Sequence, residues 1–172
     1  EFRRVLFRSC GPGHAAAPGH AAAPGHAAAP PAPDDPAASD ESAAWATEHL
    51  ETDLIGWLTT RAPDGRLQSS PISFLWEDGT ILFYSQPGTP KLRNLAADPH
   101  VSFTLQSDPY GDHVLIVEGE AQIDPAAPPS DRHPAYAAKF REALGHWGLE
   151  VEQTARDFSV AVRITPIRTR SW

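Results

Sequence analysis

The residues best placed to do chemistry form one continuous segment, Ser85-Gln86-Pro87-Gly88-Thr89-Pro90-Lys91-Leu92-Arg93-Asn94. The apolar run Ile81–Ser85 before it reads as a strand. Thr89 is a candidate N-cap, and Pro90 suits the first position of a helix over Lys91–Ala97. A strand thus feeds a tight loop, and the loop feeds a helix N-terminus. Unsatisfied N–H groups and the positive end of the helix dipole converge there, which suits a phosphate. Lys91 and Arg93 add charge, and Ser85 and Thr89 add hydroxyls. A charge-assisted hydrogen bond is worth about 1.5–3 kcal/mol, so two or three would anchor a cofactor phosphate. Taken alone, the segment is equally an ordinary capped surface helix with solvated Lys and Arg.

Other reactive groups form no recognisable constellation. Ser69 and Ser70 are not set in a G-x-S-x-G elbow. His100, His113, His133 and His146 are scattered among loops and element ends, and His113, beside Asp112, is expected to be solvated. Asp53, Glu118 and Glu120 lack a paired-carboxylate spacing. Cys10 is the single cysteine, so one chain can build neither a disulfide nor a cysteine metal site, which fits a reducing cytoplasm. No catalytic side chain and no metal site are expected.

The elements that must position the segment follow from periodicity. Ser42–Leu50 reads as a helix, with Ser39, Asp40 and Ser42 as candidate caps. Ile55–Thr60 is a short strand, ended by the turn Ala62-Pro63-Asp64-Gly65. Gln68–Trp76 alternates, with Ile72, Phe74 and Trp76 on one face and Ser73 and Leu75 on the other. Glu77-Asp78-Gly79 turns the chain into Ile81–Ser85. After the short helix come strands at Val101–Leu105 and Val114–Ile123, separated by the polar loop Gln106–Asp112. Gly119 marks a bulge or a close backbone approach. Pro134–Leu144 reads as a helix, Gly145–Arg156 as loop plus short helix, and Phe158–Thr165 as a strand, with Pro166 at an edge or bulge. About six strands with helices outside suggest a closed or split antiparallel barrel. No parallel βαβ alternation and no G-x-G-x-x-G is present.

Composition bounds the partners. The 172 residues carry 22 acidic and 14 basic side chains, a net charge of −8, which disfavours nucleic acid and anionic membranes. No apolar run approaches the roughly eighteen residues of a membrane helix, so no membrane span is expected. The hexamer GHAAAP runs from Gly13 to Pro18 and recurs at Gly19–Pro24 and Gly25–Pro30. Its histidines invite a weak metal-binding reading, but its composition cannot build a core. Residues 1–42 are expected to be a disordered tail, with Glu1–Ser9 set aside as a candidate artefact, and residues 43–172 to be the domain.

From about Leu50 to Trp172 the chain resembles the pyridoxamine 5′-phosphate oxidase-like superfamily, and within it the actinobacterial branch of deazaflavin (coenzyme F-420)-dependent oxidoreductases. The resemblance is carried by Ile55–Thr60, Pro63–Arg66, Gln68–Ile72, Phe74–Trp76, Ile81–Pro87, Lys91–Leu95, Asp98-Pro99 and Val117–Ala121, in family order with short spacers. It implies a mainly β fold with short helices, a six-stranded antiparallel split β-barrel of the FMN-binding type. It also implies a homodimer with two cofactor sites at the subunit interface. Lys91 and Asn94 match positions near the cofactor phosphate, with Ser85 and Gln86 at the strand end beside them and Thr89 and Arg93 in the same loop and helix. Gln68, Ser69, Ser70 and Pro71 match the strand along the tricyclic ring. Trp172 is a candidate contact to the partner's site, whereas Trp57, Trp76 and Trp147 are expected in the core.

The function implied is hydride transfer from reduced deazaflavin to an electron-poor small organic substrate in the cytoplasm. The alternatives are an FMN-dependent oxidoreductase of the same fold and a non-catalytic module that holds a cofactor or haem. An oligonucleotide-binding barrel is disfavoured by the acidic balance.

Overall fold

The computed structural model describes residues 40–107 and 109–172. The histidine repeat, Cys10 and Glu1–Ser9 lie outside the described residues. In chain order the elements are α1 (Asp40–Thr52), β1 (Ile55–Arg61), β2 (Leu67–Glu77), β3 (Thr80–Ser85), α2 (Pro90–Ala97), β4 (His100–Thr104), β5 (Leu115–Ile123), α3 (Pro134–Trp147), α4 (Val151–Asp157) and β6 (Val160–Ser171). The six strands close into an antiparallel barrel in the order β1-β2-β3-β6-β5-β4. The fold is mainly β with short helices, as expected.

Local chemistry fixes the first three strands. Asp78 and Gly79 adopt φ of 48° and 72°, the paired positive angles of a two-residue turn whose twist matches a hairpin. Strand β2 therefore returns as β3 in the register Phe74↔Phe83 and Trp76↔Ile81. Inward side chains fill the barrel: Leu58, Phe74, Ile81, Phe83, Phe103, Leu115, Val162 and Ile164 are all fully buried. Phe74 and Phe103 meet edge to face at 4.9 Å.

The outward face of β2, β3 and β6 is also buried. Leu75, Leu82, Tyr84 and Ala161 form a second apolar cluster with Tyr136, Phe140 and Ala143 of α3. Leu75 thus lies opposite Phe74, as alternation requires, yet it is covered. His133 begins α3, its ring accepting the Tyr136 backbone N–H at 3.4 Å while Nε2 lies 3.1 Å from Glu77 Oε1. Glu77 also accepts from Arg163 of β6, which donates to Asp124 and Thr80. This half-buried network ties the start of α3 to the β2–β3 end of the barrel.

Several expectations are corrected. Helix α1 begins at Asp40, inside the stretch assigned to the tail. Strand β6 runs past Thr165 to Ser171, and the bulge expected at Pro166 is present: Pro166 pairs with Gly119, beside the register shift. A Cβ on Gly119 would lie 2.5 Å from the Thr165 carbonyl oxygen, so bulge and close approach coincide there. Phe158 precedes β6 and packs against the second cluster. Trp57 is not in the core; it sits on the outward face of β1 and is 38% exposed. Trp76 and Trp147 are partly buried against the two clusters. His113 is not simply solvated: its ring stacks on Trp45 at 5.2 Å, and its Nδ1 is buried with no hydrogen-bond partner among the described residues. No described helix is long and apolar enough to cross a membrane.

Lys139 of α3 points away from solvent. Its Nζ donates to the Leu50 carbonyl in the last turn of α1 at 3.4 Å and stands 4.3 Å from the centre of the Phe74 ring. A cation there suits the helix C-terminus and the ring face. Burial nevertheless dominates and lowers its pKa from 10.5 to about 8, with the Asp53 carboxylate opposing in part. The unfolded chain keeps that proton to higher pH, so folding expels it and stability rises as pH increases above about 8. The buried Tyr84, raised to about 12, acts in the opposite sense once free tyrosine ionises near 10. Urea midpoints should therefore increase between about pH 8 and about pH 10, and Lys139→Met should flatten that rise to the share supplied by Lys91.

Candidate functional site

Strand β3 ends at Ser85, paired with Val160 of β6. The following loop turns at Gly88, whose φ of 70° a larger side chain would resist. The Ser85 and Thr89 hydroxyls are buried and hydrogen-bonded to each other at 3.0 Å. Thr89 has the extended conformation of an N-cap, but its side chain makes no capping bond to α2. The first N–H groups of α2 are therefore not satisfied by that hydroxyl. Pro90 occupies the first turn, as expected.

Asn94 pins this helix to the barrel. Its buried carboxamide donates to Thr60 Oγ1 at 3.0 Å and to Gln68 Oε1 at 3.1 Å. Both of its N–H bonds are thereby used inside the chain. Arg93 is exposed and folds back to donate to the Gly88 carbonyl. Gln86 is half-buried in the loop. Along β2, Gln68 and Ser70 share the face turned to Thr60 and Asn94, while Ser69 and Pro71 face outward. Ser69 exchanges a hydrogen bond of 2.7 Å with Thr59.

Lys91 differs from these neighbours. It lines a cavity of about 290 Å³ between the outward face of β2–β3 and helices α3 and α4. Its pKa is lowered, and burial is the only cause: no carboxylate offsets it. Among the described residues it has neither an ion pair nor a hydrogen bond. A half-buried ammonium in that condition is a ready site for an anion, whose charge would restore the ordinary pKa.

Of the residues singled out from sequence, Lys91 and Pro71 reach the cavity. Ser85, Gln86, Thr89, Arg93 and Asn94 are gathered around the loop and helix that carry Lys91. Trp172 is not brought to this end within one chain. Strand β6 starts opposite Ser85 and ends opposite Leu115, about 3.3 Å per residue further on. There Trp172 pairs its backbone with Val114 and remains 48% exposed.

The aromatic wall was not singled out from sequence. Tyr84, Tyr136, Phe140, Trp147 and Phe158 line the cavity. The signal existed as the four-residue spacing of Tyr136, Phe140 and Leu144 together with apolar residues on both faces of β3, but neither says that a gap remains between them. Tyr84 donates to the Pro128 carbonyl at 2.6 Å and Tyr136 to the Ser73 carbonyl at 3.3 Å. Burial pushes the Tyr84 phenol up to about 12 and the Tyr136 phenol higher still. Both are thus neutral wall residues and poor proton donors.

The family model described as pyridoxamine 5′-phosphate oxidase matches residues 44–172. The chain belongs to the pyridoxamine 5′-phosphate oxidase family. A search of curated proteins finds no match. Among solved structures, a conserved hypothetical protein of Mycobacterium tuberculosis is 26% identical with a TM-score of 0.65, over 81% of this chain and 89% of that one. A protein named F420 reductase is 24% identical with a TM-score of 0.54, over 72% of this chain and 94% of that one. A protein of Mesorhizobium loti described as FAD-binding is 19% identical with a TM-score of 0.55, over 75% of this chain and 90% of that one. The last two likenesses speak for the fold. The family barrel, closed as described above, thus carries a lysine without a partner among the described residues at the end where its third strand meets a helix.

The Asn94 clamp can be tested directly. Asn94→Ala should cost about 1–3 kcal/mol, because Thr60 and Gln68 lose their shared donor. The urea midpoint measures that loss; an unchanged midpoint would show that α2 is held by other contacts.

Proposed function

We propose that this chain is an oxidoreductase that takes hydride from reduced deazaflavin (coenzyme F-420) and passes it to an electron-poor small organic substrate. The observation that carries the reading is Lys91, a half-buried ammonium in the cavity at the amino end of α2, with no acidic partner among the described residues. A flavin-type cofactor brings the phosphate that such a site needs. The family membership and the fold shared with a protein named F420 reductase support the choice.

When bound, the deazaflavin supplies the hydride. The chain's own residues bind, orient and exclude water. Lys91 neutralises the phosphate, helped by N–H groups of the loop after β3. Ser69 and Pro71 on the outward face of β2 offer a flat surface for the ring, and Gln68 and Asn94 hold that strand and α2 at a fixed separation. No side-chain nucleophile is required.

FMN is the second reading, favoured by the fold shared with an FAD-binding protein. Titration with both cofactors decides between them. Quenching of deazaflavin fluorescence by colourless protein supports the first, and yellow protein with flavin absorbance supports the second. Lys91→Ala should weaken the bound cofactor about tenfold to a hundredfold, the loss of one charge-assisted hydrogen bond of about 1.5–3 kcal/mol. Unchanged affinity with an unchanged fold would remove Lys91 from the site.

The proposal includes a homodimer in the cytoplasm. Trp57, Leu67, Ile167 and Trp172 are exposed apolar side chains that a second copy would cover. Trp172, remote from its own Lys91, is then available to the partner's site. Light scattering at micromolar concentration should give twice the chain mass; a clean monomer would contradict it.

A further inference from the structure

Helices α3 and α4 both wall the cavity, but they are held in different ways. Helix α3 is fastened along its length. His133 ties its start to Glu77, the Tyr136 phenol donates to the Ser73 carbonyl, and Lys139 reaches the Leu50 carbonyl. Tyr136, Phe140 and Ala143 are buried beneath it. Helix α4 has seven residues and buries one of them, Ala155. Its side-chain hydrogen bonds are all local: Gln153 donates to Asp157, Arg156 to Gln153, and Thr154 to the Glu150 carbonyl. Among the described residues no hydrogen bond or ion pair joins α4 to the barrel or to α3. Its N-cap residue, Glu150, has extended backbone but makes no side-chain capping bond. So short a helix without tertiary support is unstable in water. Even so, Val151, Glu152 and Thr154 of α4 line the cavity.

We propose that α4 is a lid, which opens by local unfolding of residues 149–158 and admits ligands to the cavity while α3 and the barrel stay in place. The chain pivots at Gly148, whose φ of 63° reverses it after α3, and at the exposed Ser159 before β6. Opening uncovers little apolar surface, because Ala155 is small and Val151 is already 38% exposed. The weakly held element of a fold is the one that opens first. The inference concerns entry to the cavity and does not depend on which cofactor Lys91 holds.

The test reads the lid through its own amides and through a thiol placed behind it, on the full chain. Amides of residues 154–158 should exchange with deuterium at least about a hundredfold faster than those of β3, and low urea should leave their rates unchanged, since little surface is exposed. Glu150→Asp supplies the cap that α4 lacks and should slow those amides about fivefold. Ala155→Gly weakens the helix interior and should speed them about fivefold. Unchanged β3 amides show that the rest of the fold is intact in both variants. Ser73 lines the cavity from β2, so Ser73→Cys puts a thiol behind the lid. Cys10→Ser removes the single native cysteine from that protein. Labelling by monobromobimane should then slow with Glu150→Asp and speed with Ala155→Gly by the same factors as the amides.

Linked movement of amides and thiol, in both directions, establishes α4 as the lid. The proposal is overturned if the amides of α4 and β3 exchange together, because α4 then opens only with the whole fold. It is overturned equally if neither variant moves the α4 amides. A thiol that labels at one constant rate while the α4 amides move also overturns it, because entry then bypasses α4.

Discussion

The position of Lys91 depends on one buried side chain, Asn94. Asn94 divides its two N–H bonds between Thr60 of β1 and Gln68 of β2, and so fastens α2 across the edge of two strands. Its carboxamide is buried, where an unmade hydrogen bond is costly, so the helix has little freedom to shift. With α2 fixed, the Ser85–Thr89 hydroxyl pair sets the loop's shape, and Lys91 is left facing the cavity. Polar residues that sequence patterning groups as one binding set thus divide into those that build the platform and the one that presents charge.

The second constraint is the double burial of β2 and β3. A strand covered on both faces is held in register because a one-residue slip would exchange the side chains fitted to the two clusters. The barrel interior holds one face through Phe74, Ile81 and Phe83, and α3 holds the other through Tyr136 and Phe140. The His133–Glu77–Arg163 network fixes where α3 begins. The cavity exists because α3 and α4 arch over the part of that outer face near Pro71 and Ser73 without filling it.

The local elements were legible where periodicity and turn chemistry agree. Asp78-Gly79 between an alternating run and an apolar run marks a hairpin, and Thr89-Pro90 marks a helix start; both stand as read. Pro166 stands at a bulge, as read, but only the pairing shows that the strand continues past it, the register with β5 resuming at Arg168. Trp57 misled because a tryptophan is usually covered, and strand parity alone does not say which face is inward. His113 misled because a polar loop gives no hint that α1 carries Trp45 across it.

By itself the amino-acid sequence determined the order of strands and helices, the family, and the strand–loop–helix that brings Lys91 to a helix N-terminus, since all of these follow from contacts between near neighbours. Tertiary structure alone decided that Asn94 and Gln68 serve each other, that Trp172 ends a strand's length from Lys91, and that an aromatic cavity lies between two helices and the barrel wall. Those outcomes depend on closing residues far apart in the chain onto one another, and a space between surfaces has no residue of its own to announce it.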